Sequence, residues 1–198
     1  MSSGIVLIGP IGAGKSTLAK LLSTELGFSR CCMDDLRWPY MQEVGYEASV
    51  EKQMLAEDGH YGNVFRYRKP FEAHMVERLL DEYPDCVIDF GASQSVYDSE
   101  SDFEKVRQSL APFAHVVLLL PSPDRERSLH ILKQRIWHGV AGGFDFQEYF
   151  LQHPSNYRLA TMTIYTEGNT PEQSSSEIIA RLAEAKPQSM QSRRRDHA

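Results

Sequence analysis

Eight residues near the start of the chain, Gly9-Pro10-Ile11-Gly12-Ala13-Gly14-Lys15-Ser16, fit the spacing G-x-x-x-x-G-K-[ST]. Glycines at 9, 12 and 14 let the backbone curl so that successive N–H groups and the start of a following helix converge on one spot. A chain can bind phosphate oxygens in this way without spending side chains on them. The lysine then brings charge to the β- and γ-phosphates, and the serine hydroxyl is a ligand for magnesium. The reading is a nucleotide site formed by Gly9, Ile11, Gly12, Ala13, Gly14, Lys15, Ser16 and Thr17, taking ATP and Mg2+, with Lys15 catalytic on a solvent-facing loop. At an average glycine content of about 7%, the pattern arises by chance in roughly one chain in a hundred of this length, before any demand on its surroundings.

The surroundings meet that demand. Ile5 to Ile8 form a continuous apolar run suited to a buried strand, and Leu18, Leu21, Leu22 and Leu26 repeat at helical spacing up to Gly27, placed as a C-terminal cap. Phe28 to Met33 reads as a second strand, whereas 34–60 is mixed, with weak helical character broken by Pro39 and Gly45. Further on, Phe71, Met75, Val76, Leu79 and Leu80 mark a helix, Cys86 to Phe90 a strand, Phe103, Val106 and Leu110 a helix, and Val116 to Leu120 a strand. Ser122 as N-cap with Pro123 at the first position opens a helix through Leu129, Leu132 and Ile136. Thr161 to Thr166 is the last strand, and Thr170-Pro171-Glu172-Gln173 is a capping box before a helix with Ile178, Ile179 and Leu182. Five strands alternating with helices predict an α/β, three-layer P-loop NTPase fold. Its five-stranded, mostly parallel sheet carries helices on both faces and binds ligands beyond the carboxyl ends of the strands. Asp89, ending a hydrophobic strand, is placed to serve the magnesium shell or to take a proton.

By size, element order and partial motifs the chain, from about Ile5 to Leu182, resembles the shikimate kinase branch of the nucleoside-monophosphate-kinase-like P-loop kinases. It carries neither the N-K-x-D guanine signature of GTPases nor the D-G-x-P-R segment of adenylate kinases. The resemblance implies a kinase domain over 1–186 with an acceptor region at about 34–72 and a lid at about 138–146. It also implies an acidic pair after the second strand, here Asp34 and Asp35, holding metal and acceptor between them. Because the two acids are adjacent, which takes which role stays open: both are candidate catalytic groups, Asp34 with Ser16 and Asp89 a candidate for the metal, and Asp35 a candidate for the acceptor. An F-R-x-x-E-like stretch, Phe65 to Glu72, offers Arg66 or Arg68 as a grip on an acidic acceptor. Gly91 and Ala92 stand where the family has a triple glycine, and Gln152 where it has an acceptor-binding arginine. Shikimate itself is therefore expected to be a poor acceptor, with Arg158 a possible replacement. Arg135 at the base of the lid is read as a transition-state cation. His138 and His153 are read as structural, and Trp38, Tyr40 and Tyr46 as possible walls of the acceptor pocket.

Composition narrows the class. The chain has 198 residues, 41% of them hydrophobic, and a net charge of −6, which suits a folded domain and argues against electrostatic capture of nucleic acid. Arg193, Arg194 and Arg195 are the exception, in a tail at 187–198 read as disordered. No apolar run approaches the roughly 20 residues of a membrane span, so the expected setting is cytoplasmic, as a monomer or homodimer with a small-molecule acceptor. Cys31, Cys32 and Cys86 lack metal-ligand spacing and read as reduced core thiols. Two other readings share these motifs: a nucleoside or nucleotide kinase, and an ATP-binding switch or ATPase without a metabolite acceptor.

Overall fold

The structure, a computed structural model, describes residues 2–135, 140–141 and 144–184. Strands β1 (Ser2–Ile8), β2 (Arg30–Cys32), β3 (Val87–Asp89), β4 (Phe113–Leu120) and β7 (Met162–Tyr165) form one sheet in the order β2-β3-β1-β4-β7. Every pairing in it is parallel, with Leu7 opposite both Asp89 and Val117. Residues 5–8 of β1 and 116–119 of β4 are almost wholly buried, which is why they read as unbroken apolar runs rather than as alternating ones.

Helices flank the sheet. Helix α1 (Lys15–Leu26) lies beside α9 (Pro171–Glu184), and α4 (Tyr61–Glu82) lies beside α5 (Glu100–Leu110) and α2 (Met33–Gln42). Two terminal signals act as the sequence implies. Gly27 closes α1 at φ 71°, a conformation that costs glycine little. At the start of α9 the Gln173 side chain accepts from Thr170 N at 2.8 Å while Gln173 N donates to Thr170 Oγ1 at 3.3 Å.

The region between β2 and β3 departs from the sequence reading. Met33 opens α2 rather than extending the strand, and α3 (Ala48–Asp58) follows. Helix α4 begins at Tyr61 and runs straight through Pro70 for 22 residues. A mid-helix proline costs about 3 kcal/mol. The helix absorbs it because Val64, Phe65, Ala73, Met75, Val76, Leu79 and Leu80 all turn to the core, each such burial being worth roughly 1.5–3 kcal/mol for the larger side chains. Helix α6 (Arg125–Arg135) starts later than expected, because Asp124 supplies the cap, accepting from Arg127 N at 3.1 Å. The remaining elements are a short antiparallel pair, β5 (Val140–Ala141) and β6 (Phe144–Asp145), and the short helices α7 (Phe146–Gln152) and α8 (Pro154–Leu159). Among the described residues no helix is long and apolar enough to cross a membrane.

Candidate active site

The glycine-rich loop leaves the carboxyl end of β1 and delivers Lys15 and Ser16 at the first turn of α1. Gly9, Gly12 and Gly14 hold φ of 135°, 80° and 100°, all in the region that L side chains avoid. A Cβ on Gly9 would also stand 2.5 Å from the Leu119 carbonyl oxygen, so β4 itself forbids a larger residue there. Lys15 differs from its reading as a solvent-facing group. It is 8% exposed, and its Nζ donates to the carbonyls of Gly9 at 2.8 Å and Pro10 at 2.9 Å. Burial pushes its pKa down to about 8, against the carboxylates of Asp89 and Asp34, which favour the charged form.

Across from this loop is a second wall. Ile11, Gly12, Gly14, Lys15, Ser16 and Thr17 share a cleft of about 380 Å³ with Asp34, Phe90, Gly91 and Ala92. Asp34, on the first turn of α2, is half exposed. Partial burial pushes its carboxyl above the usual carboxylate range, against the pull of Arg37 and Lys15. Its Oδ1 accepts from Arg37 Nη1 at 3.2 Å and from Gln94 Nε2 at 3.1 Å. Gln94 also accepts from Gly91 N at 2.7 Å, so one buried amide ties the post-β3 loop to the acid. Gly91 lies close against the acid: a Cβ there would lie 2.5 Å from Asp34 Oδ1. Asp35, the neighbouring acid, is not among the residues that line this cleft and lies near Cys32.

Asp89 lies beneath the cleft, 3% exposed, with Oδ2 accepting from Arg30 Nη2 at 2.7 Å and Oδ1 buried without a partner in the protein. Arg135 reaches the loop from the other side, donating from Nη1 to the Gly12 carbonyl at 3.1 Å. It helps enclose a second cavity of about 220 Å³ with Ala13, Gly14, Thr17, Leu18, Thr166, Asn169, Pro171 and Ser174. Thr166 Oγ1 is buried there with no partner.

The other sequence-predicted residues fall elsewhere. Arg68 forms a fork with Glu51, Nε donating at 2.7 Å and Nη2 at 2.6 Å. Arg158 does the same with Glu100 on α5 and lies over the Phe103 ring. Arg66 donates to Asn63 Oδ1 at 2.6 Å. Of the lid expected at 138–146, residues 140–141 and 144–146 are described, as β5, β6 and the start of α7, and the rest lies outside the described residues, as do His138 and the basic tail. His153 is buried against Asp98, with Nε2 3.2 Å from Oδ1. Trp38 and Tyr46 do stack, ring centroids 5.5 Å apart, while Tyr40 donates to Glu82. The cysteines are free thiols, and burial pushes Cys31 up to about 12.

Sequence reasoning missed three groups. Gln94 carried no motif beyond its place three residues after Gly91. Lys69, 5% exposed, pairs with Glu72 and donates to the Ser93 carbonyl, while Glu72 accepts from Ser93 Oγ at 2.8 Å. Thr166 and Asn169 follow the last strand with nothing in their spacing to mark them.

The site residues fit a magnesium nucleotide. The loop amides and Lys15 suit phosphates, the unpartnered Thr166 hydroxyl suits a base edge, and the unpartnered Asp89 oxygen suits a cation's water shell. Among the described residues no cluster of three or more His, Cys, Asp or Glu could hold a metal alone. Magnesium asks for less, keeping several waters and binding one or two protein oxygens plus phosphates.

Known proteins share the sequence and the fold in part. No protein-family model matches the chain. It is 29% identical over 189 residues to a shikimate kinase of Persephonella marina (strain DSM 14350 / EX-H1), covering 90% of this chain and 98% of the relative. Among solved structures it superposes on shikimate kinase from Acinetobacter baumannii in complex with shikimate with a TM-score of 0.61 at 18% identity, covering 94% of this chain and 96% of the other. A gluconokinase from Sinorhizobium meliloti 1021 gives a TM-score of 0.52 at 19% identity, covering 92% and 94%. The chain is therefore a homologue of shikimate kinase, and its fold is that of the P-loop kinases.

Proposed function

We propose that this protein transfers the γ-phosphoryl group of ATP, with Mg2+, to a hydroxyl of a small molecule. It is a phosphotransferase, a small-molecule kinase. The observation that carries the finer reading is one cleft in which the phosphate loop, Lys15 and Ser16 face Asp34 and Gly91. In this reading Ser16, with Asp34 and Asp89, would hold the magnesium, which would supply charge neutralisation when bound. Lys15 leaves the Gly9 and Pro10 carbonyls for phosphate oxygens, and the 220 Å³ cavity beside Arg135 takes the base.

The chemistry at the acceptor side is then simple. The acceptor oxygen bonds to the γ-phosphorus as the bond from phosphorus to the β-phosphate oxygen breaks, ADP leaves with that electron pair, and the hydroxyl proton passes to Asp34. A carboxyl held above its usual range is a better base than an ordinary aspartate. Arg135 contributes charge as the transferred group becomes separated. Shikimate, named for the relatives, is expected to be a poor substrate here, since Gly91-Ala92-Ser93 and Gln152 replace the expected triple glycine and arginine. The setting we infer is cytoplasmic. The test is acceptor-dependent ADP release over a panel of hydroxyl compounds, abolished by chelating magnesium; ADP release that no compound stimulates would reduce the protein to an ATPase.

A further inference from the structure

A cavity of about 310 Å³ opens between α2, α3 and α4, walled by Trp38, Tyr46, Tyr61 and Phe65 together with Glu51 and Arg68. Trp38 and Tyr61 are 39% and 38% exposed, two of only four large hydrophobic side chains so exposed among the described residues. Apolar cavities with a few fixed polar groups are where small ligands bind.

Two features join this cavity to the phosphate cleft. Asp34 and Trp38 are four residues apart on α2, hence on one face and about 5–6 Å apart at Cβ, one lining the cleft and the other the cavity. Phe65 lines the cavity on one side and on the other packs in a cluster with Ile11 and Ala92, both of which line the cleft. A molecule with its hydroxyl at Asp34 that reached past Phe65 would place its body in the aromatic cavity.

The polar wall is closed to anions. Both oxygens of Glu51 are held by the Arg68 fork, and that pair keeps the guanidinium above its ordinary range. Tyr46 lines the same wall beside Glu51. Binding a carboxylate at Arg68 would mean breaking two charge-assisted bonds to make two, with no net gain. Arg66 donates to the neutral Asn63 amide and is not among the cavity's lining residues, and three other nearby cations are held by acids. Arg37 is committed to Asp34 and the Trp38 ring, Arg30 to Asp89, and Lys69 to Glu72. Lys52 stands exposed at the cavity rim, where an ammonium in high dielectric adds little.

We propose that the acceptor is an uncharged alcohol with an aromatic or alicyclic body, seated among Trp38, Tyr46 and Phe65 with its hydroxyl toward Asp34. The proposal rests on the kinase reading and departs from an acidic acceptor. A matched pair of probes tests it: 3-phenylpropane-1,2-diol and 3-phenyllactate, which differ in a CH2OH against a carboxylate. Each is titrated calorimetrically into the protein with Mg-ADP. The diol should bind at least tenfold more tightly than the acid, Trp38→Ala should weaken it at least tenfold, Trp38→Phe should restore most of the loss, and Lys52→Met should leave it unchanged. Binding of neither probe, equal or tighter binding of phenyllactate, or indifference to Trp38→Ala would overturn the ligand class. ADP release is measured in parallel with the acceptor panel, so that failure of the kinase reading appears there and not in the calorimetry.

Discussion

On the phosphate side of the cleft the ligand-facing groups are backbone amides, set by three left-handed glycines within eight residues. On the acceptor side they are side chains from α2, α4 and the loop after β3, as far as 60 residues apart, and most of them are bonded to one another. The first wall needs only a local sequence to define it, and phosphate is what any such wall binds. The second is a tertiary construction, whose specificity comes from which polar groups remain free after pairing.

Substitutions should separate the two walls by the kind of damage they do. Lys15→Ala removes the loop's charge, and we expect turnover to fall about 10³-fold, or roughly 4 kcal/mol of transition-state stabilisation. The melting temperature should change little, since a buried ammonium costs desolvation as well as giving two hydrogen bonds. Steady-state kinetics with calorimetric melting checks both, and a variant with unimpaired turnover would remove the phosphate wall from the mechanism. Glu72→Ala should do the reverse. It strands the Lys69 ammonium, which burial already pulls below its ordinary range, and breaking one side of a buried pair costs about 3–5 kcal/mol of folding stability. Urea unfolding should show that loss, while the phosphate loop in the folded fraction keeps its ATP affinity.

The same contrast explains what was legible in the sequence. The glycine loop, the five strands and the Thr170 capping box are each written in contiguous residues, and each stands where its pattern places it except that β2 stops at Cys32. The path of α2 to α4 was not. Pro39 and Pro70 look like helix ends, yet both lie inside helices, because propensity is local and the buried face that overrides it is not. Arg68 and Arg158 have the right chemistry for an anion, but a sequence does not say that Glu51 and Glu100 already occupy them. Adjacent Asp34 and Asp35 could not be ranked without the first turn of α2, which places one at the cleft and the other near Cys32.

Arg135 connects the two cavities on the phosphate side, through its bond to the Gly12 carbonyl. If it acts mainly in the transition state, Arg135→Ala should lower kcat about 100-fold, near 2.7 kcal/mol, and change the ATP dissociation constant no more than about threefold. An equal loss in both would assign it to nucleotide binding instead. ATP titration beside steady-state rates distinguishes the two.

The smallest effect we expect probes the acceptor wall alone. A methyl group on Gly91 would meet Asp34 Oδ1 at 2.5 Å, Asp34 Cγ at 3.0 Å and Gln94 Nε2 at 2.9 Å. All three are side-chain atoms, and Asp34 is half exposed, so the carboxylate can swing aside and the fold should lose less than about 1 kcal/mol. The displacement matters more than the strain, because a catalytic group misplaced by about 1 Å costs far more in rate than in stability. Gly91→Ala should therefore reduce kcat/KM for the acceptor about tenfold, roughly 1.4 kcal/mol, with the KM for ATP unchanged, since the atoms nearest the new methyl belong to Asp34 and Gln94 rather than to the loop at Gly9 to Ser16. Asp35→Ala is the matching control: Asp35 is not among the residues that line the cleft, and its kinetic effect should stay within about threefold. If Gly91→Ala were silent and Asp35→Ala damaging, the assignment of Asp34 as the acid of the acceptor wall would pass to its neighbour.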